Sequence, residues 1–308
     1  MTAPEPPDGL GALLARAGAE ADRREVGLWL VGGALRDVLL KRETKDVDLA
    51  VEAATANALE LAARLGSLPG WTLKARHERF GTATLGAPGG VRVDLAATRR
   101  EEYPAPGSLP VVTGTVTIED DLERRDFTIH AMAQRVGRRG LVGAVVDPFG
   151  GREDLKKKRL RLLHPKSLVD DPTRAYRAVK YAVRLGFAWD EEEMKKALKD
   201  ARAAGAFTSL SGDRMRRGIE EIFLEGDWGR ATELASHLQL LSDVAPGWDA
   251  ATPRGGPGAT SDALSHPSQE PSDVWRRLLE PLPPPERAAA AKRLNFSRVL
   301  RRAAGVPA

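Results

Sequence analysis

Residues 30–52 read LVGGALRDVLLKRETKDVDLAVE. The apolar run Leu28–Val31 predicts a short buried strand, Gly32-Gly33 break it, and a helical pattern follows over Ala34–Leu40. Glycines at a strand-to-helix turn permit backbone angles and close approaches that a Cβ forbids. The helix N-terminus behind them offers N–H groups and partial positive charge, which suits a phosphate, and Arg36 in the first turn adds a cation. In DVDLAV, strand alternation puts Asp46, Asp48 and Ala50 on one side and Val47, Leu49 and Val51 on the other. The apolar side is the core side. The two carboxylates therefore share an open face, about 6–7 Å apart at strand rise. Like charges held together destabilise a fold unless something positive sits between them. Mg²⁺, which prefers carboxylate oxygens with phosphate and water, suits that position. A lone Gly-Gly is more often a tight turn, and a lone Asp-x-Asp is as readily a solvated strand edge. Their succession in one strand–turn–helix–strand unit favours chemistry.

The chain has 308 residues, 42% of them hydrophobic, so one large or two modest domains are expected, with aliphatic cores because aromatics make up only 5%. Its formal charge of +4 favours polyanionic partners without proving one. The absence of cysteine excludes disulfides and thiolate metal sites. The five histidines (77, 130, 164, 237, 266) show no ligand spacing, so chemistry must rest on carboxylates and a metal. No apolar run approaches the roughly 20 residues needed to span a bilayer, and the first residues lack a secretory pattern. A soluble, cytoplasmic protein is expected.

The pattern predicts a helix within residues 1–27 and a mixed α/β segment over 28–150, in which VRVDLAA (91–97) alternates too weakly to name its buried face. Helices without a convincing strand follow over 151–244. A Pro/Gly/Ser-rich linker is expected over 245–273, and a short helical tail over 274–308.

LVGGALRDVLL followed by KDVDLAV resembles the nucleotide-binding signature of the DNA polymerase beta-like nucleotidyltransferases, in particular the branch holding class II tRNA CCA-adding enzymes and bacterial poly(A) polymerases. The resemblance implies an α+β fold: a head with a small sheet and flanking helices, then an all-helical neck and body. It implies that Gly32, Gly33 and Arg36 meet the triphosphate and that Asp46 and Asp48 hold two Mg²⁺ ions. EDDLERRDFTIHAMA (119–133) is similar to the family's second motif, which makes Arg125 a nucleotide contact; the family usually has Asn where this chain has His130. The segment 100–117 resembles a loop that accompanies A addition.

DDPTRAYRAVKYAVRLGF (170–187) carries Asp171, Arg174 and Arg177 within about one helical face, with Asp170 or Asp171 placed to cap and Pro172 at the first turn. A carboxylate accepts and a guanidinium donates hydrogen bonds. Cytosine and adenine both present an amino donor beside a ring-nitrogen acceptor, whereas guanine and uracil present the opposite order. By resemblance, Asp171 and Arg174 act as a protein template for CTP and ATP, Arg177 helps bind the nucleotide, and Lys180, standing where the family usually has a third Arg, is a further nucleotide contact. LSGDRMRRGIEEIF (210–223) is similar to the neck helix, with Asp213 as its expected cap. REDLKKKRLR (152–161) is either an RNA-backbone patch or a solvated face.

The expected activity is transfer of CMP and/or AMP from CTP or ATP to the 3′ end of tRNA by a two-metal mechanism. The alternatives are a poly(A) polymerase and a non-catalytic RNA-binding relative.

Overall fold

The structure, a computed structural model, describes residues 9–114, 116–248 and 270–306. It divides into two compact units: Met1–Glu102 with Pro110–Leu163, and Tyr103–Leu109 with His164–Ala308. Among the described residues no helix is long and apolar enough to cross a membrane.

The first unit is built on a seven-stranded sheet of order β3-β4-β5-β2-β1-β8-β9. In chain order the strands are β1 (Gly27–Val31), β2 (Asp46–Glu52), β3 (Thr72–His77), β4 (Thr82–Ala87), β5 (Val91–Ala97), β8 (Ala133–Gly137) and β9 (Gly140–Val146). Among the described strands, only β2 and β5 pair in parallel. Helices α1 (Leu10–Asp22), α2 (Gly32–Leu39) and α3 (Thr55–Gly66) flank it. On β2 and β5 the residues Val47, Leu49, Val51, Val93, Leu95 and Ala97 are buried, which resolves the face of VRVDLAA. The opposite face is graded: Asp46 is exposed, Asp48 half-buried and Ala50 buried. Ala50 joins Val31, Ala131 and Ala133 beneath Ile118 and Leu122 of helix α4 (Ile118–Glu123). Each large side chain buried there is worth about 1.5–3 kcal/mol, so this end of the face is closed while the carboxylate end stays open.

The N-terminal helix is part of this unit. A Cβ on Gly18 of α1 would lie 2.2 Å from the Gly137 carbonyl oxygen, so helix and strand meet at backbone distance. The unit also extends past the expected boundary at 150 to Leu163. The reason is Asp154, buried in the basic run on helix α5 (Gly151–Lys156), which accepts from Thr128 Oγ1 (2.6 Å), Arg159 Nε (2.7 Å) and Arg161 Nε (3.0 Å). Two cations of the 152–161 run thus hold a core carboxylate, whose pKa they and Thr128 depress against the opposing pull of burial. The segment 100–117 is not a simple loop: β6 (Arg99–Glu102) pairs with β7 (Val111–Gly114), and 103–109 belongs to the second unit.

The second unit is helical: α6 (Ser167–Asp170), α7 (Thr173–Leu185), α8 (Glu191–Ala203), α9 (Ala206–Ser209), α10 (Gly212–Phe223), α11 (Trp228–His237), α12 (Pro271–Leu279), α13 (Pro284–Arg293) and α14 (Arg298–Ala303). α7 and α10 run parallel at a near-constant sequence offset. Lys180 meets Glu221 at 2.8 Å, and Arg184 holds both Glu225 oxygens. A Cβ on Gly218 would sit 2.8 Å from the Tyr176 ring, so glycine lets the two helices close. α10 is capped by Ser211, not Asp213; Asp213 instead accepts from Asn295 and Arg216.

The tail docks on this unit. Trp275 donates to Glu220 Oε1 (2.7 Å), and Trp248 donates to the Leu278 carbonyl (2.9 Å). Ala245 and Trp248 are therefore buried rather than linker residues, and α12 begins at Pro271. The rest of the expected linker, 249–269, lies outside the described residues.

Candidate active site

The sheet brings Asp48 and Asp94 side by side on one face, because parallel pairing of β2 and β5 places them in register. Like charges directly opposite one another are unfavourable. The Asp48 pKa is pushed above the carboxylate range, chiefly by burial and further by Asp94 and Asp46, while Arg125 and Arg36 oppose the rise. Asp94 accepts from Thr84 Oγ1 (2.6 Å) and pairs with Arg92 (2.9 Å). The weak alternation of its segment hid it; the signal that would have found it is the second x-Asp-x strand a few residues beyond a glycine-rich turn.

Gly32 opens α2 with φ +64°. A Cβ there would meet Arg125 Nη1 at 3.0 Å and Asp48 Oδ2 at 3.2 Å, so the bare backbone is what lets these two groups flank the turn. Gly33 is different: the nearest atoms a Cβ would meet are those of the Arg36 guanidinium, at 3.6–3.9 Å. Arg36 is 2% exposed. Its Nε and Nη2 donate to the two Asp37 oxygens, each at 2.8 Å, and its Nη1 lies 2.7 Å from His130 Nε2. It is a fixed cation behind the turn rather than a mobile arm.

Arg125 is oriented by Asp121, which accepts from its Nη2 at 2.9 Å and from Arg124 at 2.9–3.0 Å. Burial raises the Asp121 pKa, but the two arginines outweigh it and hold the carboxyl below its usual range. The Arg125 Nε is buried with no hydrogen-bond partner among the described residues. These groups line a cavity of about 410 Å³ bounded by Asp48, Thr84, Asp94, Asp121, Arg124 and Arg125. Asp121 was legible only as part of an acidic cluster, since its partners Arg99, Arg124 and Arg125 reach it from two directions.

Asp171, Arg174, Arg177 and Lys180 lie in the second unit. Asp171 Oδ1 accepts from the Thr173 N–H (3.0 Å), the Thr173 hydroxyl (2.5 Å) and Arg214 Nη2 (2.9 Å); Oδ2 accepts from Arg177 Nη2 (3.2 Å). Burial works against the charge, yet Arg177, Thr173, Arg214 and Arg174 together keep its pKa low, so it remains ionised and purely an acceptor. Arg174 is buried, donates to Ser167 Oγ (2.6 Å) and lies 5.9 Å from the Tyr103 ring centre. Arg214, in the neck-helix segment 210–223, also donates to the Gly107 carbonyl (2.7 Å) and so joins 103–109 to the Asp171 cluster. Lys180 is tied to Glu221 and faces α10.

A sheet carrying paired aspartates beside a Gly-Gly helix start is the head of a polymerase beta-like nucleotidyltransferase, and residues 28–161 match the poly A polymerase head domain. The chain is 36% identical to an A-adding tRNA nucleotidyltransferase of Geobacter sulfurreducens over 76% of its length, covering 26% of that protein. It is 39% identical to a CC-adding tRNA nucleotidyltransferase of Deinococcus radiodurans over 79% of its length and 63% of that protein. It is 31% identical to a multifunctional CCA protein of Pseudomonas putida, over 88% of its length and 69% of that protein. Among solved structures, a Thermotoga maritima CCA-adding enzyme complexed with tRNA aligns with a TM-score of 0.70 and 29% identity, over 94% of this chain and 67% of that one. The chain belongs to the tRNA nucleotidyltransferase/poly(A) polymerase family. It spans about a quarter of the Geobacter protein's length.

Proposed function

We propose that this chain transfers CMP and/or AMP from CTP or ATP to the 3′ end of tRNA in the cytoplasm, releasing pyrophosphate. The observation that carries the reading is the aspartate face of β2 and β5 set against the Gly32 turn and Arg125. The fold concentrates negative charge there, raising the Asp48 pKa, and leaves a buried guanidinium N–H unpartnered beside it. A cation and a phosphate together would satisfy both.

Mg²⁺ binds through one or two carboxylates together with the oxygens of a substrate phosphate. Asp46 and Asp48 would hold it, with Asp94 beside them. When bound, Mg²⁺ would polarise the α-phosphate and neutralise the departing pyrophosphate. The Gly32-Gly33 turn admits the triphosphate to the start of α2 at backbone distance. Arg125, aimed by Asp121, donates to it, and Arg36 adds a fixed positive charge from behind. The RNA 3′-hydroxyl gives up its proton and its oxygen bonds to the α-phosphorus as the bond to pyrophosphate breaks.

For base choice, Asp171 is the acceptor and Arg174 the donor that match the amino group and ring nitrogen of cytosine and adenine. Arg177 and Arg214 keep Asp171 ionised, and Lys180 serves as a strut between α7 and α10. The relatives carry names for A addition, CC addition and full CCA addition, so the product is set by experiment. Each single NTP is offered with Mg²⁺ to tRNA ending at the discriminator base, at -CC and at -CCA, beside an unrelated RNA. C or A joined to the matching tRNA end supports the reading. Long A tails on every RNA make the chain a poly(A) polymerase, and no incorporation with any nucleotide refutes transferase activity.

A further inference from the structure

His130 sits in the 3-10 turn Thr128–His130, between the Arg125 motif and β8. Its Nε2 lies 2.7 Å from Arg36 Nη1 and its Nδ1 lies 2.9 Å from Asp126 Oδ1. A guanidinium has donors only and no acceptor. Nε2 must therefore offer its lone pair to Arg36, and the proton must sit on Nδ1, donated to Asp126. Asp126 Oδ1 is fixed in turn by the Phe127 N–H at 2.8 Å, and the Phe127 ring packs edge-on against the imidazole. The cations Arg36 and Arg125 also face the ring. Burial first, and these cations further, disfavour the imidazolium, against the pull of Asp126.

We infer that His130, oriented by Asp126, is a positioning residue: as a neutral imidazole it pins the Arg36 guanidinium behind the Gly32-Gly33 turn, and its protonation releases that cation. The inference rests on the nucleotidyltransferase reading above. Arg36 has three sets of donors to anchor. Asp37 takes two, from the neighbouring position on the same helix; His130 takes the third, from a different element, and fixes the plane of the group against the turn. A protonated imidazole loses the lone pair and sets two cations in contact. Nucleotide affinity should then weaken as pH falls through the titration of this ring, which lies below the ordinary value of about 6.5.

Three proteins test this: the parent, His130→Gln and His130→Leu. A Gln amide oxygen reaches close to the Nε2 position and accepts without titrating, whereas Leu fills the space with no acceptor. KM and kcat for CTP and ATP are measured from about pH 8.5 down to the lowest pH at which the proteins stay folded, with circular dichroism and thermal melts confirming folding. The His130→Leu protein is expected to raise KM about tenfold or more at pH 8 with kcat changed far less, the loss of one hydrogen bond to a charged group. His130→Gln should recover most of that affinity and lose the parent's acid-side rise in KM; acid effects on Asp48 persist in both and cancel from the comparison. Imidazole ¹⁵N shifts of the parent at pH 8 should show protonated Nδ1 and bare Nε2. A His130→Leu protein with the parent's KM, a parent and His130→Gln with the same acid limb, or an Nε2–H tautomer would each overturn the inference. A parent that incorporates no nucleotide refutes the enzymatic reading instead, before any variant is compared.

Discussion

The sharpest prediction contrasts two neighbouring glycines. Gly32 has φ +64° and Gly33 does not occupy the left-handed region. Replacing Gly32 by Ala costs about 1–2 kcal/mol for the backbone alone, since an L side chain is strained there. The new methyl would also crowd Arg125 Nη1 and Asp48 Oδ2, at 3.0 and 3.2 Å. Both are ends of side chains, so the fold accommodates the methyl by moving them a few tenths of an ångström. The relevant point is which groups move: a 1 Å misplacement at a reacting centre costs roughly 100-fold, so a displacement of this size should cost about tenfold in kcat. Gly33→Ala carries neither penalty, because its Cβ meets the Arg36 guanidinium at ordinary contact distance. Urea unfolding and single-nucleotide incorporation on both variants make the test. The expected result is Gly32→Ala destabilised by about 1–2 kcal/mol and impaired in kcat, with Gly33→Ala at least as stable as the parent. Equal stability and equal kcat for the two variants would refute the assignment of Gly32 as the close-approach position.

Asp48→Asn should abolish incorporation, a loss of about 10³-fold or more, yet leave the protein as stable or more so. Its raised pKa means the fold disfavours the ionised form, a penalty present at neutral pH and relieved as pH falls; a clear loss of stability in urea would contradict this. Asp171→Ala should remove the preference for CTP and ATP over GTP and UTP and destabilise the second unit by about 3–5 kcal/mol, because Arg177 and Arg214 lose their shared acceptor; unchanged base choice would sink the template role. Because the Asp171 pKa is depressed, the stability it contributes in the parent is present above about pH 4 and is lost as pH falls through its lower folded value. Gly218→Ala should destabilise by about 1–3 kcal/mol through overpacking against Tyr176, and a gain in stability, the ordinary result for Gly→Ala in a helix, would show that α7 and α10 can part.

What was legible in the sequence is what a single segment carries. The faces of β2 follow from alternation within seven residues, and Gly32-Gly33 follows from a strand ending where a helix begins. Asp94 was not legible because its meaning depends on which strand lies beside β5, and parallel pairing with β2 is a tertiary fact. Asp121 and Arg214 were missed for a related reason. Each is a hub whose partners converge from separate elements, so their sequence neighbourhoods look like an acidic cluster and a helix face. The boundary at 150 failed on Asp154, because nothing in REDLKKKRLR signals that its carboxylate is buried under Thr128. The linker failed at its start on Trp248, where a Pro/Gly-rich context hid an indole that reaches Leu278.

Asp48 and Asp121 show why the head should be read as a site and not only as a sheet rich in ion pairs. Asp121 is buried, Asp48 is half-buried and both line the same cavity, so desolvation pushes both pKa values upward. Asp121 nevertheless ends low, because Arg124 and Arg125 each hydrogen-bond to it. Asp48 ends high, because Asp94 and Asp46 add to the burial and the two arginines that oppose it act through space. The same arginine, Arg125, therefore neutralises one aspartate by contact while leaving the other short of positive charge. Had the region been selected for stability alone, a cation beside Asp48 would have been the simpler arrangement, as it is at Asp154. The fold instead compensates the carboxylate that aims Arg125 and withholds compensation from the one on β2. On the function proposed above, a metal ion and the phosphates of a nucleotide would supply the missing charge there.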